Sequence, residues 1–238
     1  MRRILFSLSL LFSSLIIFSG TVAAQGQYVS GSTGIDVSWP NCKNSIPNVA
    51  FGVVGVNDGT GYSANPCFSN QASHFSNNLS LYVNTGWDAK SIFVNPNSPN
   101  VCAAGDNNCL AYNYGYNAGV YAYKQAAIKG MHSSTWWMDV ESNGTWNSNI
   151  AQNQNSLTGE HDALADNGIT AIGVYSTTYQ WDTITGTWKN LWPSWGATTW
   201  TSAKQAKTFC TGHEFTGGPS YLMQYQSLRS KLDQDVAC

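Results

Sequence analysis

Asp139 and Glu141 stand two residues apart at the end of an apolar run, Trp136-Trp137-Met138-Asp139-Val140-Glu141. On a strand, alternation turns both side chains to one face, with Cα atoms about 6.6 Å apart at roughly 3.3 Å per residue. Two carboxyls so placed against tryptophans repel each other and lose hydration, and both effects raise a carboxyl pKa. A protonated acid beside an ionised one is the pair that cleaves a glycosidic bond. The spacing alone equally fits exposed strand-end acids or a Ca²⁺ site. The chain has only 13 acidic residues, and others gather in the same way. Asp36 sits inside the first strand-like run, Asp58 follows the second, and Asp233 and Asp235 open the last. A generic solvated surface would have scattered them over helices and loops.

The composition narrows what such a cluster can serve. Charged residues make up 10% of the 238, while Asn, Gln, Ser and Thr together supply about a third. An average soluble domain is roughly 25% charged. No basic block exists to neutralise phosphates, so nucleic acid is not expected as a partner. Aromatic residues reach 13%, which argues against disorder, and Glu, Lys and Leu are too few for a coiled coil.

Met1-Arg2-Arg3, the apolar stretch 4–18 and Thr21-Val22-Ala23-Ala24 have the order of a secretory signal peptide. The apolar stretch is shorter than the about 20 residues of a membrane span. Cleavage after Ala24 removes two arginines and leaves nine basic against 13 acidic residues, a net charge of −4. Residues 25–32 read as a flexible lead-in and 33–238 as one domain; no membrane association is expected after cleavage, and a monomer is expected. Six cysteines follow: Cys42, Cys67, Cys102, Cys109, Cys210 and Cys238. An even count in a secreted chain points to disulfides. Loop-closure entropy favours near neighbours, hence 42–67, 102–109 and 210–238. No CxxC pair occurs and His74, His132, His161 and His213 stand alone. Neither a metal nor another cofactor is therefore expected.

The elements that must position the acids can be read next. Short β-branched and aromatic runs lie at 34–38, 51–56, 79–84, 136–141, 171–175, 194–200, 221–225 and 233–238. Helical spacing appears over 112–129 and 149–167, with a shorter candidate at 202–209. Residues 88–111 read as a long loop pinned by a disulfide. Strands alternating with helices predict an α/β parallel sheet, open or closed into a barrel. A lectin-like all-β sandwich is the rival, and the two long helical patterns count against it. In a barrel, the C-terminal strand ends would build the active site.

The motifs also carry a resemblance. Gly34-Ile35-Asp36-Val37-Ser38 resembles the opening strand of the glycoside hydrolase family 25 lysozymes, and Asp139-Val140-Glu141 their mid-chain acidic triplet. Ile172-Gly173-Val174-Tyr175-Ser176 is similar to the family's next strand, Gln224-Tyr225 to its late Gln-Tyr strand and Leu232-Asp233-Gln234-Asp235-Val236 to its closing one. The likeness extends to secreted actinobacterial-type proteins of glycoside-hydrolase-like class, through Asp36-Val37-Ser38-Trp39-Pro40-Asn41-Cys42 and Asp235-Val236-Ala237-Cys238. Departures fall in the third strand, the sixth strand and the loop from Asn57 to Tyr62.

The resemblance implies a modified (β/α)8 TIM-like barrel with fewer helices than strands. It implies muramidase-type cleavage of β-1,4 bonds in peptidoglycan glycan strands or a related polysaccharide. Carried over by position, Glu141 is the general acid and Asp139 assists the substrate N-acetyl group. Asp36 and Asp233 shape the site, with Asp235 the alternative to Asp233. Asp58, Trp137, Tyr175, Gln224 and Asp235 are expected on the substrate, and Trp39, Trp181 and Trp200 are further candidate sugar platforms. The alternative is a non-catalytic glycan-binding protein on the same barrel. Its support is the net charge, since an anionic protein is repelled by an anionic wall.

Overall fold

The computed structural model describes residues 28–75, 78–228 and 230–238. The expected signal peptide, 1–24, lies outside them. Eight strands close into one barrel in chain order. They are β1 (Thr33–Val37), β2 (Gly52–Gly55), β3 (Leu79–Asn84), β4 (Thr135–Asp139), β5 (Ala171–Ser176), β6 (Ser194–Ala197), β7 (Ser220–Tyr225) and β8 (Asp233–Ala237). Pairing is parallel from β1 to β7, whereas β8 runs antiparallel to both its neighbours. Around the barrel lie α1 (Phe68–Ser73), α2 (Asn107–Ile128), α3 (Ile150–Asp166), α4 (Thr178–Thr185) and α5 (Ala203–Lys207). This is the modified α/β barrel, with fewer helices than strands.

The strand alternation sorts the core into two layers. Outward-facing Ile35, Val37, Val54, Leu81, Trp136, Met138 and Val174 pack with Leu157 and Leu164 of α3 and Trp181 of α4. Inward-facing Val53, Tyr82, Trp137, Trp195 and Leu222 fill the barrel with Tyr28 and Phe51. Helices α2 and α3 approach so closely that glycine is required at the contact. A Cβ at Gly115 would stand 1.8 Å from the Ser156 carbonyl oxygen, and one at Gly159 2.1 Å from that of Tyr112.

Several expected boundaries move. α2 starts five residues before the expected 112, because Asp106 caps it by accepting the Cys109 N–H at 3.0 Å. The disulfide-pinned loop therefore ends at Asp106. β4 ends at Asp139, so Glu141 lies two residues beyond the strand. β6 ends at Ala197, which leaves Trp200 in the following loop. α1 and α4 were not foreseen. Residues 28–32 of the expected flexible lead-in are instead seated on the barrel. Gly31 N–H donates to the Ala237 carbonyl at 2.8 Å, and Ala237 N–H returns a bond to Ser32 at 2.9 Å. Tyr28 is 7% exposed. The disulfides are Cys42–Cys67, Cys102–Cys109 and Cys210–Cys238, the near-neighbour pattern. Among the described residues no helix is long and apolar enough to cross a membrane.

Candidate active site

The parallel strands β1–β7 finish at one end of the barrel, and β8, running backward, begins there. Asp233, its first residue, is thereby paired with Asp36 near the end of β1. A cleft of about 200 Å³ opens at this end, lined by Asp36, Asp139, Glu141 and Asp233, with Tyr82, Tyr175, Trp195 and Gln224 among its walls. Four acids separated by almost two hundred residues converge on it.

Asp139 is 6% exposed. Asn84, its register partner at the end of β3, donates to its Oδ2 through Nδ2. Oδ1 is buried without a partner. Burial first, then the negative charges of Glu141 and Asp36, push its pKa well above the ordinary carboxylate value. Glu141 is more open. Burial raises its pKa too, opposed by hydrogen bonds from Gln180 and Asn143. Its loop is fixed from behind: Trp146 Nε1 donates to the Glu141 carbonyl at 2.8 Å, and Gln180 Oε1 accepts from the Ser142 backbone and hydroxyl at 2.6 and 2.9 Å.

On the next strand Tyr175, the β5 register partner of Asp139, donates its hydroxyl hydrogen to Gln224 Oε1 at 2.8 Å. That leaves Gln224 Nε2 to donate to Asp36 Oδ2 at 2.9 Å. Burial, reinforced by the charge of Asp233, pushes Asp36 up to about 7 despite this bond and a second one with Asp235. Asp233 is exposed, and partial desolvation raises its pKa.

Other expected site residues stand elsewhere. Asp235 is wholly buried below the cleft floor, so it does not reach substrate. Its β8 register sets it one layer beneath Asp233. Trp137 shares the inward face with Asp139 but lies one layer deeper, 0% exposed, and donates Nε1–H to the Tyr28 hydroxyl at 3.0 Å. It is barrel filling and not a sugar platform. Trp181 is buried under α4, and Asp58 is exposed away from the cleft lining. Trp39, 48% exposed, stands beside the cleft residues Ser38 and Pro40, while Trp200 packs edge-on against Phe209.

Asn84, Asn143, Gln180, Tyr82 and Trp195 were missed. For Gln180 a signal existed. Thr177-Thr178-Tyr179-Gln180 has the Thr-x-x-Gln form of a helix start, and Thr177 caps α4 by accepting the Gln180 N–H. Among the described residues no group of three or more His, Cys, Asp or Glu side chains could hold a metal ion.

A family model described as lysozyme-like protein 1 matches residues 69–216. None of the curated proteins matches the chain. Solved structures with the same fold include a bacterial lysozyme from Streptomyces coelicolor, 16% identical, with a TM-score of 0.55 over 88% of this chain and 93% of that one. A glycosyl hydrolase 25 of Streptococcus pneumoniae, described as a virulence factor, is 17% identical with a TM-score of 0.55 over 87% of each chain. A muramidase from Trichobolus zukalii is 16% identical with a TM-score of 0.52, covering 87% and 93%.

Proposed function

Because the chain belongs to the lysozyme-like protein 1 family, we propose that it is a secreted muramidase-type glycoside hydrolase acting on β-1,4 bonds of peptidoglycan. Three disulfides suit an extracellular working place. The observation that carries the reading is the Asp139 carboxyl. It is buried in the cleft beside Glu141 with Oδ1 lacking any donor.

In the empty cleft the more buried Asp139 holds a proton in preference to Glu141. An acetamido N–H of a bound sugar supplies the missing donor and favours ionised Asp139, which leaves the proton of the pair to Glu141. The acetamido carbonyl oxygen then attacks the anomeric carbon while the bond to the leaving oxygen breaks. Glu141 gives that oxygen its proton, and Asp139 balances the positive charge developing on the acetamido group. Water next attacks the anomeric carbon, displaces the acetamido oxygen and returns a proton to Glu141. Asp36 and Asp233 set the charge around this pair. Tyr175 and Gln224 are positioned to contact sugar hydroxyls.

The test is release of reducing ends from peptidoglycan and chitin oligomers by the wild type and Glu141→Gln. Release by the wild type and its loss in the variant are expected. Equal release by both would overturn the acid assignment. Glycan binding without release would favour a non-catalytic wall-binding protein on the same barrel.

A further inference from the structure

Beside the cleft lies a groove of about 410 Å³ with the reverse chemistry. The cleft is lined by four carboxyls and, among the described residues, no cation. The groove is lined by Lys43 and Lys231 and no carboxyl, with Asn44, Ser45 and Ser230 as further polar groups. The two share a wall. Asn41 lines the cleft and Lys43 the groove, and Asp233 lines the cleft and Lys231 the groove. The described residues include eight lysines and no arginine, against 13 acids, so two lysines in one groove are a concentration of the scarcer charge. Lys189 and Lys207 donate to the Phe215 carbonyl and the Ser30 hydroxyl. Lys43 and Lys231 are exposed and, among the described residues, neither takes part in an ion pair. Both are carried on fixed turns. The Cys42–Cys67 disulfide and an Asn44 N–H bond to the Asn41 carbonyl at 2.9 Å hold the first. The Ser230 hydroxyl oxygen holds the second, accepting from the Leu232 N–H at 3.0 Å and from Gln234 Nε2 at 3.1 Å.

We propose that the Lys43–Lys231 groove is a carboxylate subsite, which takes an acidic substituent of the glycan strand held in the cleft and so selects an acid-bearing strand over a neutral one. A carboxylate on such a strand is repelled by the four acids of the cleft. It leaves the cleft where the wall turns cationic, between Asn41 and Lys43 on one side and Asp233 and Lys231 on the other. In peptidoglycan that substituent is the lactyl group of the muramic sugar with its peptide, and chitin has none. The naming of the strand rests on the hydrolase reading, whereas the preference for a carboxylate does not. The groove also answers the net negative charge of the chain. An anionic protein can hold an anionic polymer when its cations stand where the polymer touches it.

The experiment is calorimetric binding in a Glu141→Gln background, so that no strand is cut. Three probes are compared: a muramyl-peptide tetrasaccharide, the same compound with its carboxyls converted to amides, and chitotetraose. The muramyl peptide is expected to bind about threefold to tenfold more tightly than its amidated form, the worth of two surface charge contacts. Raising the salt from about 50 to about 500 mM is expected to shrink that margin. Adding Lys43→Gln and Lys231→Gln together should abolish the margin and leave the affinity for chitotetraose unchanged. A margin that survives the double substitution, an equal loss on chitotetraose, or no binding of the muramyl peptide at all would sink the idea. So would a glycerol-phosphate oligomer that binds more tightly than the muramyl peptide and is lost in the same variant, because the groove would then serve a separate phosphate polymer. None of these affinities depends on catalysis. A wild type that releases no reducing ends would defeat the hydrolase reading, and the same three probes would still decide the groove.

Discussion

At the base of the barrel, Tyr28, Ser80 and Trp137 meet inside a ring of apolar side chains. The Tyr28 and Ser80 hydroxyls bond each other, and Trp137 donates to the Tyr28 oxygen. At the other end, Asp36, Asp139, Glu141, Asp233 and Asp235 crowd a cleft and the layer below it, and two buried carboxyl oxygens there lack a donor. The interior positions come from the same eight strands and the same alternation. The base uses neutral groups that satisfy one another, which stabilises the fold at any ordinary pH. The cleft end keeps like charges together and leaves acceptors unmet, which costs stability whenever those acids ionise. The barrel is held from below so that its upper layer can tolerate groups that would rather be in water.

The largest test of this division is Glu141→Gln. Activity on glycan is expected to fall by about 10²- to 10⁴-fold, the range for losing a general acid, with the melting temperature unchanged or raised. A drop in melting temperature as large as that of a core variant would blur the division. Next is Trp137→Ala at the base, expected to cost about 3–5 kcal/mol in denaturant unfolding. Gly173 has no side chain because a Cβ there would stand 2.4 Å from the Trp137 ring, so the indole fills space that nothing else occupies. Retained stability in that variant would show that the base does not anchor the barrel.

The pH dependence of unfolding comes third. All five cleft-end acids bind their protons more tightly folded than unfolded. Between the ordinary carboxylate value of about 4 and the raised native values, the folded chain therefore holds more protons. Stability is full below about pH 4 and declines as pH rises through about 7, where Asp36 ionises. Melting temperatures measured from pH 4 to 8 should fall, and Asp139→Asn should flatten the slope. A rise over that range would reverse the sign assigned to the cleft. The smallest effect is Tyr28→Phe, expected to cost about 1–3 kcal/mol for the two hydrogen bonds its hydroxyl makes, with Ser80 and from Trp137. It should lower the whole pH curve without changing its slope.

The same contrast explains how much could be read from the sequence. All eight strands were legible, since each is a short β-branched or aromatic run. Asp139 and Glu141 were legible as neighbours on one face. Depth was not: alternation says that Trp137 and Asp139 point the same way, yet not that one is packed against Tyr28 while the other lines the cleft. The choice between Asp233 and Asp235 was open for a similar reason. Both face inward, and only the backward run of β8 decides that the earlier residue is the upper one. α4 escaped notice although Thr177 offers its cap, and Gln180, which holds the Glu141 loop, went with it. Asn84 gave no local signal, because its bond to Asp139 spans 55 residues.

Tyr28 and Cys238 have a practical bearing beyond stability. The lead-in pairs with β8, so both described ends of the chain emerge together at the base, with the Cys210–Cys238 disulfide beside them. A bead, fluorophore or fused partner attached at either end sits behind the barrel, with the mouth of the cleft facing away. Immobilised that way, the protein would meet an insoluble polymer mouth first, and the choice of end would make little difference to how it is presented.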